Sequence, residues 1–206
     1  KKTSLQPLEK LHALLKNMGY ECSQMVPGEI EMCDRLHLRP SLLVLLGFSQ
    51  KREEQILEIS TTPLLEPNAL PPKAISSYYQ VDFVIPIPLK LVPEARKELL
   101  SLILFLNQLL DWPGFILDEL HDKLFYRYVW LAKESMWEER AFGLLLGTFE
   151  LYVKLFSDIL QSVGSGQASL EQLLQQVLDL YQNTFGSSQA GAHAENASPG
   201  AASQQV

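Results

Sequence analysis

The side chains that most often perform catalysis or bind metals are scattered along this sequence rather than arranged in a motif. No histidine has a second histidine at metal-ligand spacing, and HExxH does not occur. The motifs GxSxG, GxxxxGKS/T and GxGxxG, which mark nucleophiles and phosphate-binding loops, are also absent from the sequence. We therefore expect no catalytic residue, no metal site and no cofactor, and we interpret every histidine as a surface or helix-face residue. The histidines are His12, His37, His121 and His193.

One group of carboxylates could hold a cation. Asp118, Glu119 and Asp122 surround a predicted turn, so their oxygens could converge on one point. An acidic turn that is simply solvated is the commoner arrangement in proteins. We adopt that interpretation and expect a surface turn here.

The charge balance restricts the partners. The formal charge is 17 − 24 = −7, and the pI is about 5.1. Nucleic acids bind through neutralisation of their phosphates by Lys and Arg, so we expect no nucleic-acid partner. An anionic membrane surface is disfavoured for the same reason, whereas a protein partner remains compatible with this charge.

Several features indicate a cytoplasmic protein. The longest apolar stretch, 99–110, is shorter than the roughly 20 residues of a membrane-spanning helix, so we expect no membrane insertion. The N-terminus lacks the apolar segment of a signal peptide. Cys22 and Cys33 match neither a CxxC nor a zinc spacing, and we expect free thiols in a reducing compartment. A disulfide is the alternative if their two segments pair.

The elements that must position these residues include one readable unit at 107–131, which runs from a helix through a turn to a hairpin. We expect Gly114 to break the helix, since a glycine permits a positive-φ conformation. Alternate residues predict that Leu124, Tyr126, Tyr128 and Trp130 lie on one face of the second strand. The opposite face then carries Phe125, Arg127, Val129 and Leu131.

The rest of the chain predicts an α+β fold, with an antiparallel sheet packed against helices. We expect a single domain at 1–185 and a disordered tail at 186–206. Four prolines predict an exposed connection without regular structure at 62–73. Pro86 and Pro88 predict that the strand 80–89 lies at an edge of the sheet. Helices are predicted at about 8–18, 93–110, 137–163 and 169–185, and further strands at 29–36, 41–48 and 55–62.

Apolar faces are more abundant than one small core requires. The helix at 93–110 is apolar nearly all round, so we expect it to be largely buried or to lie at a subunit contact. The helix at 137–163 carries a wide apolar stripe, and together the two helices suggest a dimer or a partner-binding groove. An aromatic cluster around the hairpin could bind a ligand, but we favour its assignment to the core. Its members are Trp112, Tyr126, Tyr128, Trp130 and Trp137.

The pattern across 8–163 resembles a known family. Asn107, Gly114-Phe-Ile-Leu-Asp118, a turn and Leu124-Phe-Tyr-Arg-Tyr128, followed by a long amphipathic helix, resemble the YbjN-like proteins. Those are similar in fold to the class I chaperones of type III secretion. The resemblance implies a homodimeric α+β domain without catalytic residues, and the chaperones hold an unfolded client segment on apolar surfaces. This chain departs from the pattern in its proline-rich connection and in an extra C-terminal helix, which could cover the client surface.

We therefore expect a non-enzymatic protein-binding module of the YbjN or secretion-chaperone type that acts as a homodimer. One alternative is a small-molecule-binding domain, with a pocket between the third helix and the aromatic hairpin and with Arg127 as its polar group. A structural subunit of a larger assembly is the other alternative. For the first hypothesis the expected partner-binding residues are the apolar strand faces Val44, Leu46, Phe48, Phe83, Ile85 and Ile87.

Overall fold

The computed structural model describes residues 6–25, 40–47, 55–65 and 74–181. The predicted strand 29–36 and the predicted tail 186–206 lie outside these ranges. The helices are α1 (Gln6–Asn17), α2 (Arg96–Leu109), α3 (Glu139–Gly164) and α4 (Leu170–Tyr181). The strands are β1 (Cys22–Met25), β2 (Ser41–Leu46), β3 (Gln55–Leu65), β4 (Ala74–Ile87), β5 (Phe115–Asp118) and β6 (Lys123–Lys133).

The described strands form one antiparallel sheet in the order β1-β2-β3-β4-β6-β5. Leu42 pairs with Ile59, and Ile59 pairs in turn with Phe83. Phe83 pairs with Tyr128, which continues the same row into the hairpin. The prediction of an α+β fold with an antiparallel sheet packed against helices is therefore confirmed.

The sheet has one buried inner face and one outer face. The inner-face side chains and the apolar stripes of all four helices belong to a single core cluster. In α1 that stripe consists of Leu8, Leu11 and Leu15, at the spacing of successive helical turns. The core thus lies between the helices and one face of the sheet. Its buried strand residues include Leu42, Val44, Leu46, Leu57, Ile59, Val81, Phe83, Ile85, Ile87, Leu124 and Tyr126.

The prediction that 80–89 is an edge strand is wrong. β4 is an inner strand, flanked by β3 on one side and by β6 on the other. Its pairing with β3 begins at Glu58–Val84, so Pro86 lies beyond the last of these pairs and faces Phe125 of β6. Pro86 can therefore lack a backbone donor without breaking the ladder to β3.

The prediction that the prolines at 62–73 exclude regular structure is also wrong, at its first residues. β3 continues through Pro63 to Leu65. The pairing of β3 with β2 ends at Ser60, which pairs with Ser41. Beyond Ser60, β3 pairs with β4 alone. A proline is tolerated on a strand that has one partner, and the register shifts between Pro63 and Leu65. Residues 66–73 lie outside the described ranges.

The helices follow their predictions with one difference. α2 buries only one face, which includes Leu99, Leu102 and Leu106. Leu104 on the opposite side is 62% exposed, so the helix is not buried all round within one chain, and its place at a subunit contact stays a prediction. Ser169 and Gln172 form a capping box at the start of α4, because Ser169 N donates to Gln172 Oε1 and Gln172 N donates to Ser169 Oγ, both at 3.4 Å.

Asn107 locks the turn between α2 and the hairpin. Its Oδ1 accepts hydrogen bonds from Gly114 N at 3.1 Å and from Phe115 N at 3.0 Å. Its Nδ2 donates to Phe115 O at 2.8 Å. The amide thereby satisfies three backbone groups where the helix ends and the strand begins, in the place of strand pairing.

Gly114 does not adopt the positive φ that a glycine permits. Among the described glycines the positive φ values belong to Gly19 (89°) and Gly166 (70°). Gly114 is instead required by a close approach of backbone and ring. A Cβ at this position would lie 2.6 Å from Arg127 O and 2.8 Å from the Tyr126 ring.

Candidate functional site

The side chains that we expected to bind a partner lie in the core. Val44, Leu46, Phe83, Ile85 and Ile87 all point to the inner face, and each is at most 3% exposed. Phe48 lies outside the described residues. A partner could reach the described five only if the helices moved away from the sheet. Their role in partner binding stays a prediction, and the accessible surface lies elsewhere.

The space between α3 and the aromatic hairpin is filled by rings. The Phe149 ring centroid lies 5.5 Å from that of Tyr126 and 5.4 Å from that of Tyr128. Trp112 stacks on Tyr128 at 5.6 Å. Burial raises the pKa of the Tyr126 phenol, whose hydroxyl donates to Trp112 O at 2.8 Å. The assignment of the aromatic cluster to the core is confirmed for these rings.

Arg127 does not line a space beside α3. It lies on the outer face of the sheet, because its neighbours Tyr126 and Tyr128 point inward. Its Nη2 donates to Asp82 Oδ1 at 2.5 Å, and Gln80 Nε2 donates to Asp82 Oδ2 at 2.7 Å. The predicted position of Arg127 in a pocket between α3 and the hairpin is therefore wrong.

Apolar side chains surround this ion pair on the outer face. Asp82 pairs with Val129 in the sheet register, and Gln80 pairs with Leu131. Val129 is 38% exposed and Leu131 is 60% exposed. The outer face therefore combines an ion pair with accessible apolar groups.

The edge of β6 next to these groups is only half covered. β5 pairs with β6 from Phe115–Tyr126 to Asp118–Lys123, and Arg127 N donates to Gly114 O at 2.8 Å. Within the described ranges no strand continues this pairing along 129–133. Residues two apart on a strand direct their backbone groups to the same side. The N–H and C=O groups of Val129 and Leu131 therefore point to this open edge.

Two carboxylates of the hairpin turn contact neighbouring side chains, Asp118 a histidine ring and Asp122 a guanidinium. His121 Nδ1 lies 3.0 Å from Asp118 Oδ2, and this hydrogen bond lowers the pKa of the Asp118 carboxyl. Arg96 Nη2 donates to Asp122 Oδ1 at 2.5 Å, and Arg96 Nη1 donates to Glu119 O at 3.2 Å. These contacts tie the start of α2 to the turn, in keeping with the interpretation of a surface turn.

Glu98 and the capping box hold the start of α4. Glu98 Oε2 accepts a hydrogen bond from Leu170 N at 2.9 Å, where a carboxylate also complements the positive end of the helix dipole. An open cleft of about 240 Å³ lies beside this contact, between the start of α2 and the α3–α4 turn. Its lining includes Val92, Glu94, Glu98, Val163 and Gln167.

Cys22 is a free thiol, as predicted, whereas Cys33 lies outside the described residues. The Sγ of Cys22 lies 3.8 Å from His12 O, and burial raises the pKa of this thiol. His12 Nε2 lies 3.3 Å from Cys22 O. The contact joins α1 to β1 and leaves the sulfur in its protonated, less nucleophilic form.

Glu150 of α3 provides a test of burial through pH. Burial raises the pKa of this carboxyl, so ionising it costs the folded state free energy. The contribution of the protonated group is complete below the unfolded pKa and is lost as pH rises through the higher folded pKa. Because Glu150 is only half-buried and solvent screens its charge, Glu150→Gln is expected to increase the free energy of unfolding at pH 7 by no more than about 0.5 kcal/mol.

Urea titrations of Glu150→Gln and the parent protein at several pH values would measure this difference. It should shrink as the pH falls through the raised folded pKa and be lost below the ordinary glutamate value of 4.5. A difference that is the same at pH 7 and at pH 4 would show that burial of the charge is not its cause.

Two features are absent from the described ranges. No group of three or more His, Cys, Asp or Glu residues is placed to hold a metal ion. No helix in the same ranges has the length and apolar character needed to cross a membrane. Comparison of the chain with protein-family models, with curated proteins and with solved structures gave no match.

Proposed function

We propose that this domain is a non-enzymatic protein-binding module that captures an extended segment of a partner polypeptide as an added strand beside 129–133 of β6. The observation that carries the proposal is the open edge of β6 with Val129 and Leu131 exposed beside it. Backbone pairing would provide affinity, and the outer face would select alternate apolar side chains in the partner. A client of this kind is also what the resemblance to YbjN-like proteins and secretion chaperones implies.

The open edge of β6 differs from the other incompletely paired edge nearby. Along 61–65 of β3, Pro63 and a register shift interrupt the edge. Natural proteins use such features to prevent an edge from pairing with another chain. The segment 129–133 of β6 contains no proline, and Lys133 at its end is its one charged residue. The edge of β3 at 61–65 is therefore protected against pairing with another chain, whereas the edge of β6 at 129–133 lacks such protection.

The partner segment should have a definite pattern. Val129 and Leu131 flank the outer face, so the partner residues beside them should be apolar. Lys133 lies over the Tyr78 ring, with its Nζ 4.9 Å from the ring centroid, and extends the edge with a positive charge. We expect a short extended peptide with alternate apolar residues and an acidic residue near the end that meets Lys133.

The proposal also includes a cytoplasmic location, in keeping with the free thiol of Cys22, and a homodimeric state.

The experiment uses a proline that removes one donor from the free edge. The backbone of Leu131 points away from β4, so Leu131→Pro should leave the β4–β6 ladder intact while it blocks strand addition. Peptides would be selected against the full chain from a random displayed library, and their Kd measured by fluorescence anisotropy. Leu131→Pro is expected to weaken binding by about tenfold or more.

Two controls separate the backbone from the side chain. Leu131→Ala keeps the backbone donor, so it should weaken binding less than Leu131→Pro does. Leu104→Ala, on α2 and away from the sheet, should bind like the parent protein. Bound peptide should also slow amide hydrogen exchange at Val129 and Leu131. If selected peptides bind the proline variant as tightly as the parent, or leave these two amides unprotected, strand addition at this edge is wrong.

A further inference from the structure

The solvent side of α3 carries a second regular pattern, separate from its buried stripe. After Glu139 at its first position, its exposed positions are Arg140, Leu144, Gly147, Leu151, Lys154 and Asp158, at successive spacings of four, three, four, three and four. Spacings of three and four occur on one face of any α-helix, and such a face packs against a partner helix where its residues are complementary. We call these six positions the seam.

The middle of the seam is apolar and indented. Leu144 is 65% exposed and Leu151 is 37% exposed. A Cβ built on Gly147 would meet no atom within 4 Å, so an open notch lies between the two leucines. A leucine from another helix could enter this notch as a knob enters a hole.

We propose that α3 packs antiparallel against α3 of a second copy of this chain. The two-fold axis would cross the exposed side of α3 at the height of residue 149 along the helix. In this register Leu151 enters the notch at the partner's Gly147, and Leu144 lies along the stem of the partner's Lys154. Arg140 meets the partner's Asp158. Each contact occurs twice because the interface is isologous. From Arg140 to Asp158 the seam is about 27 Å long at 1.5 Å per residue.

Charge complementarity selects this register and a second copy as the occupant. A parallel pair would place Arg140, Lys154 and Asp158 each opposite its own equivalent, with like charges together. In the antiparallel pair the two ends of the seam join opposite charges, and the apolar residues fill its centre. Antiparallel helices also oppose their dipoles. Glu150 lies beside the axis on the Tyr20 side, outside the seam.

The proposed dimer leaves the β6 edge free. α3 covers the inner face of the sheet, so its solvent side lies away from the outer face. Two copies joined through α3 would therefore present two outer faces on opposite sides of the dimer. The interface stands on α3 alone and does not depend on whether β6 binds a peptide.

Charge reversal tests the register. Sedimentation velocity of the full chain, at concentrations up to about 100 μM, should show a dimer that dissociates on dilution. Arg140→Asp alone and Asp158→Arg alone should each weaken dimerisation by about tenfold or more, because each creates like-charge pairs at both ends. The double variant restores opposite charges and should restore the dimer. Both positions are exposed, so folding should be unaffected.

A second pair of variants tests the apolar centre. Leu151→Glu should give a monomer, whereas Leu104→Glu, an exposed leucine on α2 outside the seam, should dimerise like the parent chain. A monomeric parent protein over the whole concentration range would overturn the proposal. A dimer that Leu151→Glu leaves intact, or that the double charge reversal does not restore, would do the same.

Discussion

Replacing Phe149 with alanine is expected to lower the free energy of unfolding by about 3–5 kcal/mol, as for a fully buried aromatic ring. The Phe149 ring is fully buried and packs α3 against the inner face of the sheet. Its centroid lies 5.3 Å from that of Phe83 on β4 and 5.5 Å from that of Tyr126 on β6. The alanine would leave a cavity between α3 and two strands that the sheet ladder prevents from closing.

Urea unfolding followed by circular dichroism would measure the loss. Leu144→Ala is a matched control, because it truncates a side chain on the same helix that is 65% exposed. It should change the free energy of unfolding by no more than about 0.5 kcal/mol when the protein is dilute enough to be monomeric. A Phe149→Ala protein that unfolds at the same urea concentration as the Leu144→Ala protein would contradict this account of the core.

The sequence predicted the elements better than their surroundings. The hydrophobic spacing of α3 indicated both its length and its buried stripe, because 3.6-residue periodicity depends on the helix alone. In β6 the alternation correctly assigned Tyr126 and Arg127 to opposite faces. Which face meets the helices was harder to infer, since each face of β6 contains apolar residues. The answer depends on packing against residues distant in sequence.

The choice of contact residues shows the same limit. Phe83 and Val44 were selected because their strand faces are the most apolar, and that property is also what places them in the core. The open edge at 129–133 arises instead because β5 is shorter than β6. Strand pairing over distances in sequence has no local signal, so neither this edge nor the inner position of β4 could be predicted.

The sequence correctly indicated that position 114 requires glycine. The requirement comes from the close approach of backbone and ring, however, and not from a positive φ. The surroundings of Gly114 are fixed on two sides. Asn107 Oδ1 binds the N–H groups of Gly114 and Phe115 from the α2 side. On the other side stand Arg127 O, which belongs to the β6 backbone, and the fully buried Tyr126 ring. The backbone at Gly114 therefore cannot move away from Arg127 O and the Tyr126 ring to make room for an added side chain.

Gly114→Ala is accordingly expected to lower the free energy of unfolding by about 3 kcal/mol, at the upper end of the cost of overpacking. The new Cβ would lie 2.6 Å from Arg127 O, and relief requires breaking either the Asn107 bonds or the turn into β5. Gly147→Ala is the matched control, because its Cβ would meet nothing within 4 Å. In a dilute, monomeric sample it should stabilise α3 by about 0.5–1 kcal/mol, since alanine is the better helix former. The two variants make the same chemical change, so urea unfolding should show shifts of opposite sign. If Gly114→Ala is as stable as the parent protein, the close approach to β6 is not what requires glycine at this turn.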